Sequence, residues 1–390
     1  MSLGFHNTSF PNIVTLDKQG QFNDAMEAYY NATTSSVVGF EAGVSQSYAA
    51  YTETSQGTAM CALATDGSIG MSYERSSTLS IISGGPGGGE NTVNLATPFT
   101  TNKRGMTYDP KSNTFLLTSN RLDQVDNFGS NNSRQTTLPY GTDQTWGAVQ
   151  INGEAYFAPM YGSTTQIGLV NQDSFASSLV GPTFASSTNF GGPALSRDGV
   201  IVWAGEGDSS IKEYDLINNT FSKSLTGVQY GGYNGWAPMS DGTLFNPGFN
   251  GSQYMVYTPA SLNGGSSKVD IYTKPFTTTG FGPWSNTFTG LDGNAYYVSS
   301  KGKSQNGGIY SDIYCYNWRT KSFFMTQFKL PAFSTGQDRQ NQAVMMLSDG
   351  RLFGATNPNA NVYWTLKMFD TNNTTGNTDR TSGFIPNTSN

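Results

Sequence analysis

The sequence predicts an all-β chain: a single β-propeller of about seven four-stranded blades, with an N-terminal extension carrying a short helix. Three observations predict it. The composition mixes turn formers with strand formers, one hairpin turn returns at near-regular spacing, and a second strand–turn–strand unit follows several of those hairpins.

Composition sets the class. The 390 residues include 46 Gly, 21 Tyr and 24 Phe among many Asn, Ser and Thr, which are turn and strand formers in combination. That length suits two or three average domains or one large closed β-architecture, and the composition favours the second. Only 12% of residues are charged, about half the usual share, so the surface is covered by hydroxyls and amides.

The hairpin unit is a short strand of small residues, an Asp-Gly or Asn-Gly turn, and an aromatic or β-branched strand. It occurs at Cys61 to Tyr73, Ala148 to Pro159, Ala194 to Gly205, Ala237 to Gly248, Thr287 to Ser299 and Val344 to Ala355. A variant at Met106 to Asn120 replaces the turn with Asp109-Pro110-Lys111-Ser112-Asn113. The turn positions are Gly67, Asn113, Gly153, Gly199, Gly242, Gly293 and Gly350, which lie 40 to 57 residues apart. A period of about 40 to 50 residues is one propeller blade. An Asp-Gly pair between alternating strands predicts a two-residue hairpin loop with both residues at positive φ.

The second unit supplies the outer two strands. It reads Ile167 to Leu179, Ile211 to Leu225 and Ile313 to Phe328, and begins again at Leu366. Small residues ahead of most turns, such as Gly105, Gly147-Ala148 and Gly192-Pro193-Ala194, suit strands crowded around a common axis. From about Gly57 to Asp370 the pattern resembles, in general style, the kelch-like and quinoprotein-like propellers. It lacks the Trp-Asp close of WD40 blades and the paired glycines of kelch blades.

Three segments are therefore expected. Residues 1–56 form an extension in which Asp24 caps a short helix and Glu27 reaches back, with Met26 and Tyr29 or Tyr30 on its apolar face. Residues 57–370 form the propeller, and 371–390 a polar tail. Ring closure falls to Asn12-Ile13-Val14-Thr15-Leu16 or to Gly383-Phe384-Ile385-Pro386, with the N-terminal side favoured.

Most chemistry is excluded by inventory. His6 is the only histidine, so metal centres built on several histidines are absent, and a Ser-His-Asp triad would have to recruit that terminus. No Gly-x-Ser-x-Gly elbow occurs, and the phosphate-loop ending Gly302-Lys303-Ser304 has Tyr297 where the earlier glycine belongs. The carboxylates show no local pairing of the kind a glycosidase needs. Asp66, Asp198, Asp241, Asp292 and Asp349 each precede a hairpin glycine and are expected to serve the turn. No enzyme activity and no cofactor are expected. Calcium is the cation such a chain would take if it takes one, through Gly205-Glu206-Gly207-Asp208 or Asp123-Gln124-Val125-Asp126-Asn127. Cys61 and Cys315 fall in non-adjacent blades and are expected to stay unpaired.

The aromatics carry the sharpest binding expectation. Trp146, Trp236 and Trp284 begin inner strands, with Tyr233 beside one of them. In this register they cluster at one mouth of the channel as platforms for a sugar ring or a protein partner. Trp203, Trp318 and Trp364 are expected in the core.

A net charge of −6 without a basic stripe argues against nucleic acid. No apolar run reaches the length of a membrane span, and Met1 to Asn7 lack the basic-then-apolar order of a signal peptide. With its sparse charge and absent catalytic equipment, the chain resembles in general style the β-propeller proteins of phage tails and capsid vertices. That resemblance implies a structural or attachment component of a virion. It would be docked to other virion proteins through residues 1–56 as part of a larger assembly, with a host-surface glycan as a further partner. The alternative is an extracellular, lectin-like propeller.

Overall fold

The computed structural model describes residues 46–49, 59–73, 76–95, 105–118, 121–127, 129, 134–138, 148–151, 153–157, 166–183, 192–204, 210–226, 235–248, 252–275, 286–299, 303–305, 308–331, 343–355 and 362–369. They form seven antiparallel sheets in chain order, the blades of a propeller. Blade one is Ala59–Leu63, Ile69–Tyr73, Thr78–Ile82 and Glu90–Asn94. Blade two runs from Gly105–Asp109 to Arg134–Thr137, and blade three from Ala148–Ile151 to Ser177–Val180. Blade four is Ala194–Leu195, Val200–Ala204, Ser210–Asp215 and Thr220–Thr226. Blade five is Ala237–Pro238, Leu244–Asn246, Gln253–Thr258 and Lys268–Thr273. Blade six runs from Asn286–Thr289 to Ser322–Pro331, with an added strand Lys303–Gln305 folded back on Gly308–Asn317. That insertion accounts for the wide spacing between Gly293 and Gly350.

The expected turns form, with one difference of type. Each turn glycine has positive φ, but the aspartate before it does not. Gly67 N–H donates to Ala64 C=O (3.1 Å) and Ala64 N–H to Ser68 C=O (2.8 Å), so a type I turn is followed by a left-handed glycine. In each Asp-Gly turn the glycine alone takes the left-handed conformation, which spares the aspartate the steric cost of positive φ, and Asn113 takes it in the variant turn of blade two.

Ring closure comes from the N-terminal side. Gln46–Ala49 pairs antiparallel with Val362–Lys367 and supplies the fourth strand of blade seven, beside Arg351–Ala355 and Ala343–Met346. The two segments singled out for closure, and the expected helix at Asp24 to Tyr30, lie outside the described residues.

The core lies between blades, as layers of interdigitated side chains. Between blades one and two it is built from Met60, Leu79, Ile81, Val93, Met106, Tyr108, Phe115, Leu117 and Val125. Similar layers join blades six to seven and seven to one, so the ring is continuous across the chain ends. Cys61 and Cys315 are buried free thiols in blades one and six. Burial pushes both thiols far up, as small hydrophobes inside a core.

Close packing makes one small residue obligatory. A Cβ on Gly70 would meet the Phe115 ring at 2.7 Å, and Phe115 is fully buried. Gly70→Ala should lower stability by about 1–3 kcal/mol through overpacking of the seam between blades one and two. Urea unfolding checks this, and an unchanged midpoint would show that the ring can step aside.

Candidate functional site

The turn aspartates divide into two groups. Asp66 accepts Ser68 N–H (2.9 Å), Asp109 Lys111 N–H (3.0 Å), Asp241 Thr243 N–H (3.1 Å), Asp292 Asn294 N–H (3.2 Å) and Asp349 Arg351 N–H (3.0 Å). Each thereby satisfies a turn donor, as Asx turns do. Two of them also use their second oxygen on the next blade. Asn127 donates to Asp66 at 2.9 Å, and Lys321 to Asp241 at 3.1 Å.

Asp198 is different. The hydroxyl of Ser196 takes over its turn, accepting the N–H groups of Asp198 and Val200 at 3.3 Å. The Asp198 carboxylate instead accepts the backbone N–H of Ser261 (2.9 Å) and its hydroxyl, across the seam in blade five. Ser261 belongs to the long connection between Gln253–Thr258 and Lys268–Thr273, which contains a short 3-10 turn, Ala260–Leu262. The equivalent connection in blade four, between Ser210–Asp215 and Thr220–Thr226, is a tight turn.

That loop roofs a cleft of about 510 Å³ between blades four and five. Its polar lining is Asp198, Glu213, Asp215, Thr220, Ser266 and Ser267, and Val200, Tyr257, Ala260 and Gly265 complete the wall. Strand geometry explains the carboxylates, since Glu213 and Asp215 are two residues apart on Ser210–Asp215 and share a face. Glu213 is only 7% exposed and accepts the Tyr257 hydroxyl at 2.6 Å. Burial, then the Glu213 carboxylate, with Asp198 contributing, push the Tyr257 hydroxyl far above its ordinary range, so it stays a protonated donor. Such a wall offers many acceptors, several rotatable hydroxyls and no cation. Chemically it can bind a polar ligand rich in hydrogen-bond donors.

The aromatic platform expected at the channel mouth is corrected for Trp236. That ring is 2% exposed and packs with Val202, Ala204, Ile211 and Met255 between blades four and five. It lies edge-on to Tyr257 at 6.2 Å, one layer behind the cleft wall, because a ring this large is best buried where two sheets face each other. Trp146, Tyr233 and Trp284 lie outside the described residues, as does the loop from Gly205 to Asp208. Trp203 is fully buried and Trp318 partly so.

The other candidate calcium loop lies largely on a strand of blade two. Asp123 is a buried strand residue whose two oxygens accept Arg121 (2.7 Å) and Gln135 (2.8 Å), which already supply the positive partners a cation would provide. Among the described residues, no group of three or more His, Cys, Asp or Glu is placed to hold a metal ion.

No family model and no curated protein matches the chain. Solved structures match its fold. The selenomethionine-substituted virginiamycin B lyase from Staphylococcus aureus superposes with a TM-score of 0.64 at 12% identity, covering 83% of this chain and 99% of that one. A streptogramin B lyase gives 0.61 at 11% identity over 84% of this chain and 98% of that one. The WD40 β-propeller domain of Doa1 gives 0.57 at 13% identity over 84% and 97%. Likeness at this level of identity shows the fold alone. It corrects the expectation of a chain that is no enzyme, because lyases share this frame and missing motifs are no ground for excluding catalysis. The chain is a seven-bladed β-propeller.

Proposed function

We propose that the chain is an attachment component of a virus or phage particle that recognises a hydroxyl-rich, glycan-type ligand in the cleft between blades four and five. The observation carrying this reading is the cleft itself: seven hydrogen-bonding side chains around about 510 Å³, under a loop that departs from the blade repeat. Loops that break a repeat on one face of a rigid scaffold are where such scaffolds place recognition. Carboxylates and hydroxyls in a cavity of this size suit vicinal sugar hydroxyls. The virion setting draws its support from the sparsely charged, amide- and hydroxyl-covered surface.

The test is a glycan array probed with the whole chain and with the double variant Glu213→Gln/Asp215→Asn. The glutamine keeps a carbonyl acceptor for Tyr257, so the fold is retained. We expect binding to at least one glycan class, weakened about tenfold or more in the variant as charged hydrogen bonds are lost. Equal binding by the two proteins would remove the cleft from consideration. The particle setting is tested by assembly of particles with residues 1–44 deleted. The deletion stops there because Gln46–Ala49 completes blade seven. Normal incorporation of the shortened chain would overturn docking through this extension.

A further inference from the structure

Blade five carries a second feature on its opposite face. Along its outer strand, Lys268–Thr273, Val269 and Ile271 pack toward the seam with blade four. Alternation sends Lys268, Asp270 and Tyr272 the other way. Tyr272 is 37% exposed, in a protein whose described aromatic side chains are otherwise largely buried. Its ring lies 5.1 Å from that of Tyr254 with an interplanar angle of 19°, a stacked pair. Tyr254 is itself fixed against Phe323 and Phe245 in the layer between blades five and six. With one face seated on a buried ring, Tyr272 presents the other as a rigid platform, and a ligand covering it immobilises little that was free.

Two further observations point to an occupant. Lys268 and Asp270 form an ion pair at 2.9 Å on the same strand face, placing a donor and an acceptor beside the ring. Next to the stack, Tyr316 is 1% exposed, yet its hydroxyl has no hydrogen-bond partner among the described residues. Burial first, and then Tyr272, Tyr254, Asp241 and Asp270, push that hydroxyl upward and keep it protonated. A buried donor left open beside an exposed ring is a departure from the rule that buried polar groups are paired.

We propose that Tyr272 is the stacking platform of a second site, which takes a pyranose ring at the edge of blade five with Lys268 and Asp270 binding its hydroxyls. The C–H face of a pyranose covers an aromatic ring, and its vicinal hydroxyls match a paired donor and acceptor. A protein partner would want a wider apolar rim, whereas this ring shares its strand face with the ion pair Lys268 and Asp270. The site lies across the blade from the cleft and stands or falls separately from it.

The test is electrophoresis of the whole chain through gels containing amylopectin, hydroxyethylcellulose or glycol chitin. Wild-type protein should be retarded by at least one of them. Tyr272→Ala should bind about tenfold more weakly, the size of an aromatic stacking contribution, while Tyr272→Phe stays within about twofold because the platform needs only a face. Asp270→Asn should weaken retardation by a few-fold, and Tyr272→Ala should lose the same factor when made on the cleft variant Glu213→Gln/Asp215→Asn as on the wild-type chain. Near-UV circular dichroism checks that each variant is folded. If Tyr272→Ala is misfolded, the comparison rests on Tyr272→Phe and Asp270→Asn. Lack of retardation by all three polymers overturns the proposal, as does wild-type mobility of folded Tyr272→Ala, or of Asp270→Asn where Ala is misfolded.

Discussion

Replacing Gly350 by alanine should lower the stability of the chain by about 3–5 kcal/mol, while the same change at Gly264 should cost only about 1–2 kcal/mol. Both glycines are left-handed, at φ +87° and +66°, so both variants incur the conformational cost of an L-residue there. They differ in what surrounds the new methyl group. At Gly264 nothing lies within 4 Å. At Gly350 the Cβ would fall 2.1 Å from the carbonyl oxygen of Phe369, which is backbone and has little room to turn away. The Gly350 carbonyl also accepts the N–H groups of Met368 (2.9 Å) and Phe369 (3.0 Å), so relief of the clash disturbs the hydrogen bonds that end blade seven. Phe369 packs edge-on to Tyr296, 6.1 Å away, in the layer between blades six and seven. Urea unfolding of the two variants separates the terms, provided the slope with denaturant is unchanged. Equal midpoints would mean that Phe369 shifts freely and that the turn is not locked to the blade end.

That turn was legible because its chemistry is local. Asp-Gly fixes a hairpin whatever lies around it, and five copies, with one Asn-Gly and one variant turn at blade spacing, define a ring. The turn type is not legible in the pair, which also serves a type I turn with one left-handed glycine, and hydrogen bonds such as Ala64 to Ser68 decide between them. The closing strand was not legible, since Gln46-Ser47-Tyr48-Ala49 has no alternation of its own and becomes a strand by pairing with Val362–Lys367. Trp236 precedes the strand its register implies but is buried in a seam, because a one-dimensional register does not say which seam a ring enters. The cleft has a signal in the sequence. Glu213 and Asp215 sit at strand spacing on one face, and the blade-five connection is too long for the repeat. Asp198 looked like every other turn aspartate, and only Ser196 relieving it of that duty sets it apart.

The chain should grow more stable as pH rises from 7 toward 10, and Lys274→Met should abolish that rise. Lys274 follows the outer strand of blade five and is 5% exposed, with its ammonium 5.7 Å from the centre of the Tyr297 ring. Burial pulls its amine down to about 7 from the ordinary lysine value. Above the unfolded value, near 10.4, the amine is neutral in both states and costs nothing. As pH falls from there, the unfolded chain takes up a proton that the folded chain refuses, so stability is lost. Below about 7 both states are charged and the loss is complete. The full shift corresponds to on the order of 4 kcal/mol across that window. Buried tyrosines act in the opposite sense at higher pH. Burial raises Tyr254 to about 12 and pushes Tyr314 and Tyr316 higher still. Their stabilisation is present below the unfolded tyrosine value, near 10, and is lost as pH rises through the folded values. A maximum near pH 9–10 follows for wild type. Methionine, of similar length and apolar, should stabilise the chain at pH 7 by about 2–4 kcal/mol and leave only the alkaline fall. Urea unfolding of both proteins at pH 7, 8.5, 9.5 and 11 measures the two limbs. Parallel curves for wild type and Lys274→Met would place the origin of any neutral-to-alkaline rise elsewhere.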